Sequence, residues 1–130
     1  MKEKWEALAD HPLVGEAKIV GMMAAIARTP DKASRAQFAS KPGTVGYICR
    51  DRCFANNLIM RHVGNRMIIS LPLVLTPADI DEMFVRIYKL LDEAHAEIIA
   101  QRLRKVAASA DRKRHQGTLR AARKSRPSFY

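Results

Sequence analysis

Cysteine is scarce in this 130-residue chain, with only Cys49 and Cys53 present. Two thiols one helical turn apart do not make a disulfide framework, and they suit a reducing, cytoplasmic compartment. No apolar run approaches the roughly 20 residues that a bilayer requires, so no membrane-spanning helix is expected. The opening Met1-Lys2-Glu3-Lys4-Trp5-Glu6 contains acids and no following apolar segment, and a secretory signal is not expected there. Also missing are a P-loop, GxGxxG, HExxH and GxSxG, and with them the most direct signals of nucleotide, zinc-protease and serine-hydrolase chemistry.

What the chain does have is positive charge, +10 overall, but it is unevenly placed. Residues 102–126 hold ten basic side chains against the single acid Asp111, a balance of +9. Residues 1–101 carry 13 basic and 12 acidic residues, a balance of +1. The basic character therefore belongs to the tail and not to the domain. Such a tail could bind nucleic acid non-specifically through phosphates, although no aromatic residue interleaves with its charges before Phe129 and Tyr130.

The pattern along the chain implies one small domain. Lys2 to Asp10 reads as the last turns of a helix with Trp5, Leu8 and Ala9 on one side, and it lacks an N-terminal cap as though cut through its middle; Pro12 stops it. Ala17 to Arg28 is apolar over most of its length and predicts a strand covered on both faces. Residues 31–43 predict a surface excursion with a short helix over 32–39. Apolar Val45, Ile48, Cys49 and Cys53 then recur at helical spacing over 44–56. Thr44 is a candidate cap there, and Asn56-Asn57 a left-handed stop. Two short extended runs, 58–62 and 66–70, flank Val63-Gly64-Asn65 as a hairpin. Alternation places Leu58, Met60 and His62 on one face, and Ile59 and Arg61 on the other. Thr76-Pro77-Ala78-Asp79 opens a long amphipathic helix whose apolar face is Ile80, Met83, Phe84, Ile87, Leu90, Leu91, Ala94 and Ile98. Helices covering a short, mostly antiparallel sheet make an α+β domain over residues 1–98. Residues 99–130 form a basic tail, disordered or partly helical.

Few residues in this pattern could carry chemistry. Cys49 and Cys53 could share a ligand with His62, but a zinc site wants four such groups, and two small side chains on a helix face account for them. Asp79, Asp81 and Glu82 sit where a helix dipole favours carboxylates. Arg61 stands in an apolar strand ahead of a tight turn. It either reaches solvent from an edge strand or meets an anion, for which its planar fork is suited.

The strings HPLVGEAKIVGMMAAIARTPDK and GTVGYICRDRCFANNLIMRHVGNRMIISLPLVLTPADID resemble the C-terminal segment of class III pyridoxal-phosphate aminotransferases. The omega-amino-acid–pyruvate group, which includes beta-alanine–pyruvate transaminase, is the nearest in likeness, from about Lys2 to Glu97. The GYICRDRCFANNLIMR string, residues 46–61, is the specific part; LVLTPADID is common to many members. One departure is Ser70-Leu71-Pro72, where the family usually has Ser-Pro-Pro.

The resemblance implies the small C-terminal domain of a fold-type I enzyme, folded over the active site of a larger pyridoxal-phosphate-binding domain. It also implies that Arg61 is the family's mobile arginine, gripping a substrate carboxylate and swinging aside for an amine without one. The full-length family binds pyridoxal 5'-phosphate, acts on amino and keto acids, and is homodimeric or homotetrameric. Its cofactor lysine lies upstream, and none of Lys2, Lys4, Lys18, Lys32 or Lys41 sits in that context. The chain is therefore expected to be a fragment with no catalytic residue and no bound cofactor of its own, inactive alone. The alternatives are a nucleic-acid-binding protein acting through its tail, or a fragment that complements a separately encoded cofactor domain.

Overall fold

The computed structural model describes residues 1–101 and 103. The expected tail falls almost wholly outside the described residues. The chain opens with a short helix, α1 (Lys2–Glu6), which tightens into a 3-10 turn at Ala7–Asp10. Trp5 and Leu8 are completely buried. The Trp5 indole donates to the Ala25 carbonyl at 3.2 Å and meets the Phe84 ring edge-on, tying the chain start to both sheet and helix.

The apolar run expected to be a single strand is instead a hairpin, β1 (Val14–Val20) and β2 (Met23–Arg28). Gly21 has a φ of 58° and occupies the first position of a two-residue turn, with Val20 opposite Met23. Only glycine takes that conformation cheaply, and it reverses the chain where an L residue would have continued it. β2 alternates as a half-covered strand does, with Ala24, Ile26 and Arg28 buried and Ala25 and Ala27 partly so.

Residues 31–40 contain no helix. The Asp31 carboxylate accepts from the Ala33 and Ser34 amides, which makes a side-chain-capped turn, and Arg35 then takes a left-handed φ of 50° that stops helical propagation. The next helix, α2 (Thr44–Ala55), starts at Thr44 as anticipated, but Gly43 is the cap residue and no side chain caps it. At its far end Asn57 is left-handed, with φ 53°.

The second hairpin pairs β3 (Arg61–Val63) with β4 (Arg66–Ser70) around Gly64-Asn65. β4 also pairs antiparallel with β2, so the sheet is antiparallel throughout in the order β1-β2-β4-β3. Thr76 and Asp79 form a complete capping box at the start of α3 (Pro77–Ala100). Met83, Phe84, Ile87, Leu90, Leu91, Ala94 and Ile98 are all buried, and they join Ala24, Ile26, Met67 and Ile69 of the sheet in one core. Each large apolar side chain so buried contributes about 1.5–3 kcal/mol. Arg52 of α2 places two nitrogens on one Glu97 carboxylate oxygen, at 2.9 and 2.7 Å, and Asn56 donates to Glu93 at 2.8 Å, which fixes α2 against α3. Among the described residues no helix is long and apolar enough to cross a membrane.

Candidate functional site

Arg61 opens β3, the edge strand, directly opposite Ile68. The strand is held at both ends. On the approach, the Leu58 amide bonds the Cys53 carbonyl at 2.9 Å as α2 ends, and Met60 is driven into the core. The alternation then turns Ile59, 78% exposed, and Arg61 outward, while Met60 and His62 face in. Among the described residues no hydrogen bond or ion pair engages the Arg61 guanidinium, although carboxylates elsewhere on the surface have found cations. Backbone pairing thus supplies the rigidity and leaves the guanidinium uncommitted, the condition for a group that grips an anion from outside.

At the far end of the hairpin a second arginine, which sequence reasoning passed over, holds the turn. Arg28 is buried, and its Nε, Nη1 and Nη2 donate to the carbonyls of Asn65 (3.2 Å), Val45 (2.7 Å) and Gly64 (3.0 Å). Its own amide donates to the Asn65 carbonyl at 2.8 Å. One side chain so joins β2, the β3–β4 turn and the first turn of α2. The signal that could have found it is the one applied to Arg61, an arginine closing an apolar strand, because such a cation must find partners.

His62, next to Arg61 but on the inner face, packs edge-on against Tyr47 with ring centroids 4.6 Å apart. Its Nδ1 is buried without a hydrogen-bond partner. Burial, followed by the charges of Arg50 and Arg28, pushes the imidazole pKa below its ordinary value, so the ring is neutral near pH 7. Gly46 makes this packing possible, since a Cβ there would lie 2.7 Å from His62 Nδ1.

Cys49 and Cys53 are both free and buried. Burial pushes the Cys53 thiol up to about 12, with Cys49 beside it adding to the rise, and it raises Cys49 against the opposing pull of Arg28. Both are protonated near neutral pH and act as core side chains, not nucleophiles. Among the described residues no cluster of three or more His, Cys, Asp or Glu is placed to hold a metal ion. Arg50, which follows Cys49 in the chain, lies over the rings of Tyr47 and Phe54.

Several exposed apolar residues gather at the end of the sheet remote from Arg28. Val20 and Met23 flank the β1–β2 turn, and the Leu71 amide bonds the Met22 carbonyl at 2.8 Å, bringing the segment with Leu73 and Val74 alongside. Val20, Leu73 and Val74 are each more than 80% exposed, which is unusual for such residues in a self-sufficient domain.

The chain is 49% identical over 100 residues to the putrescine–pyruvate aminotransferase of Pseudomonas aeruginosa, a match covering 77% of this chain and 22% of the relative. Over the matched residues the chain is similar to the class III pyridoxal-phosphate aminotransferases. A pyridoxal-phosphate-bound aminotransferase from Vibrio fluvialis superposes with a TM-score of 0.67 at 32% identity, over 74% of this chain and 21% of that one. An omega transaminase from Pseudomonas jessenii, solved with pyridoxamine phosphate, gives 0.68 at 26% identity, over 75% and 21%. No family model matches the chain. The chain spans about a fifth of the length of these relatives.

Pyridoxal phosphate, the cofactor of these relatives, needs a lysine for its aldehyde, an acid against its pyridine nitrogen and a phosphate cradle in one enclosed site. The described lysines, Lys2, Lys4, Lys18, Lys32, Lys41 and Lys89, are all exposed. Lys4 is paired with Asp81, Lys18 with Glu16, and Lys32 with the Ala9 carbonyl. The described residues do not fit the cofactor, and no reaction step is routed through it on them.

Proposed function

We propose that this fragment serves an enzyme that transfers an amino group from an omega-amino acid or amine to pyruvate, and that Arg61 receives the substrate carboxylate. The observation that carries this reading is the outward, uncommitted guanidinium on a braced edge strand, in a chain 49% identical to a putrescine–pyruvate aminotransferase. Putrescine has no carboxylate and pyruvate has one. An arginine without intramolecular partners can grip the second and rotate away for the first at little cost. The exposed apolar rim of Val20, Met23, Leu73 and Val74 docks on the cofactor-binding remainder of the enzyme, which is supplied in the same or a separate polypeptide. The assembled enzyme is cytoplasmic and a homodimer or homotetramer. Nucleic-acid binding by residues 102–126 is the second reading, but no described residue favours it.

The test joins the fragment to the cofactor domain of the Pseudomonas aeruginosa relative, once as two co-expressed polypeptides and once as a continuous chain. Arg61→Leu is expected to lower kcat/KM for beta-alanine about 30- to 100-fold, the loss of one charge-assisted pair, while putrescine changes by no more than about twofold. An equal loss for both donors, or none for either, overturns the carboxylate role. Failure of the separate polypeptides to associate, when the continuous chain is active, overturns complementation alone.

A further inference from the structure

A second cationic feature lies at the opposite end of the sheet from the apolar rim. A cleft of about 390 Å3 is walled by the start of β1, the end of β2, the 35–37 segment and the β3–β4 turn. We propose that this cleft binds a small phosphate-type dianion between Arg35 and Arg66, with Arg28 as its floor.

The first support is charge. Arg28, Arg35 and Arg66 line the cleft, and Glu16 is its one carboxylate. Glu16 is held by Lys18 at 3.0 Å and, more loosely, by Arg35 Nη1 at 3.9 Å. The hydrogen bond from Lys18, then the charges of Lys18, Arg35 and Arg66, hold the Glu16 carboxyl below the usual carboxylate range, so cations are in surplus around it. Arg28 adds a buried charge that meets three carbonyls and the neutral Cys49 thiol, and no carboxylate among the hydrogen bonds and ion pairs of the described residues. With low-dielectric walls such a cleft concentrates positive potential. Two excess charges match the dianion of a phosphate group, which carries about −1.5 to −2 near neutral pH, and guanidinium forks suit its oxygens.

The second support is independent of charge. Arg35 is one of two described non-glycine residues with positive φ. A long side chain held left-handed costs on the order of 1 kcal/mol, and such outliers persist where the surroundings impose them, often at ligand clamps. Here Asp31 caps the preceding turn, and the one Thr29 hydroxyl proton is shared between the carbonyls of Asp31 (2.8 Å) and Ala36 (2.9 Å), which brackets Arg35 on both sides. The consequence is an arginine carried back over β1 to the cleft mouth.

Titration of the full chain with inorganic phosphate, followed by amide chemical shifts, separates this site from the basic tail. Saturable shifts at Gly15, Gly64 and Asn65 are expected. Arg66→Gln and Arg35→Gln should each weaken them about tenfold, the worth of one charge-assisted contact. Arg35→Gly removes the charge while relieving the backbone, so it should fold at least as well and still lose binding. Shifts confined to residues 102–126, shifts indifferent to these substitutions, or succinate binding as tightly as phosphate would each overturn the proposal.

Discussion

Arg28 and Arg61 lie in neighbouring parts of one sheet, in comparably apolar stretches of sequence, and do opposite things. Arg28 ends β2 in the middle of the sheet and spends its donors on three backbone carbonyls, so its charge is structural. Arg61 begins β3 on the edge, where the side chain on the outer face meets no described partner. A strand in the middle of a sheet delivers its side chains into packed elements, whereas an edge strand under one layer of helices leaves alternate side chains outside. An arginine's surroundings here follow from its strand's rank in the sheet and not from its local sequence.

The comparison breaks most readily at Arg28. Arg28→Met should remove the side-chain bonds to the Gly64 and Asn65 carbonyls of the turn and to the Val45 carbonyl of α2, at a cost of about 3 kcal/mol, while Arg61→Leu stays within about 0.5 kcal/mol, both read from urea unfolding midpoints. Equal costs would erase the distinction. Gly46→Ala is the next largest. Its Cβ would press on His62 Nδ1 and approach the Gly64 carbonyl at 3.2 Å, so β3 must shift, at about 1–3 kcal/mol. The smallest effect concerns His62 protonation. With its folded pKa below the ordinary 6.5, the unfolded chain takes up the proton first as pH falls. His62 therefore contributes no pH dependence well above 6.5 and subtracts stability as pH drops below it. An imidazole NMR titration giving a midpoint above 6.5 would contradict this.

The cap at Thr76, the apolar face of α3 and the inward and outward faces around Arg61 were legible because each is set by residues within a turn or two of one another. The 14–28 hairpin was not. Uninterrupted apolar residues carry no period, and Gly21 reads equally as a flaw in a buried strand or as a turn until pairing partners are known. The helix expected over 32–39 failed because Asp31 and the Arg35 backbone compete with helical bonding. The candidate site was half legible. Arg61 was named from its string, but Arg28, Arg35 and Arg66 were not, because they converge from segments tens of residues apart.

Residue identity and local spacing were enough for the start and apolar face of α3, the likeness to aminotransferases and the outward register of Arg61, since periodicity and capping are local properties. Only the tertiary structure decided that β3 lies on the edge, that Arg28 clamps its turn, and that three arginines share one cleft. Those outcomes depend on strand order and on which distant carbonyls and charges come within a few ångströms, and neither quantity is written in any single stretch of the chain.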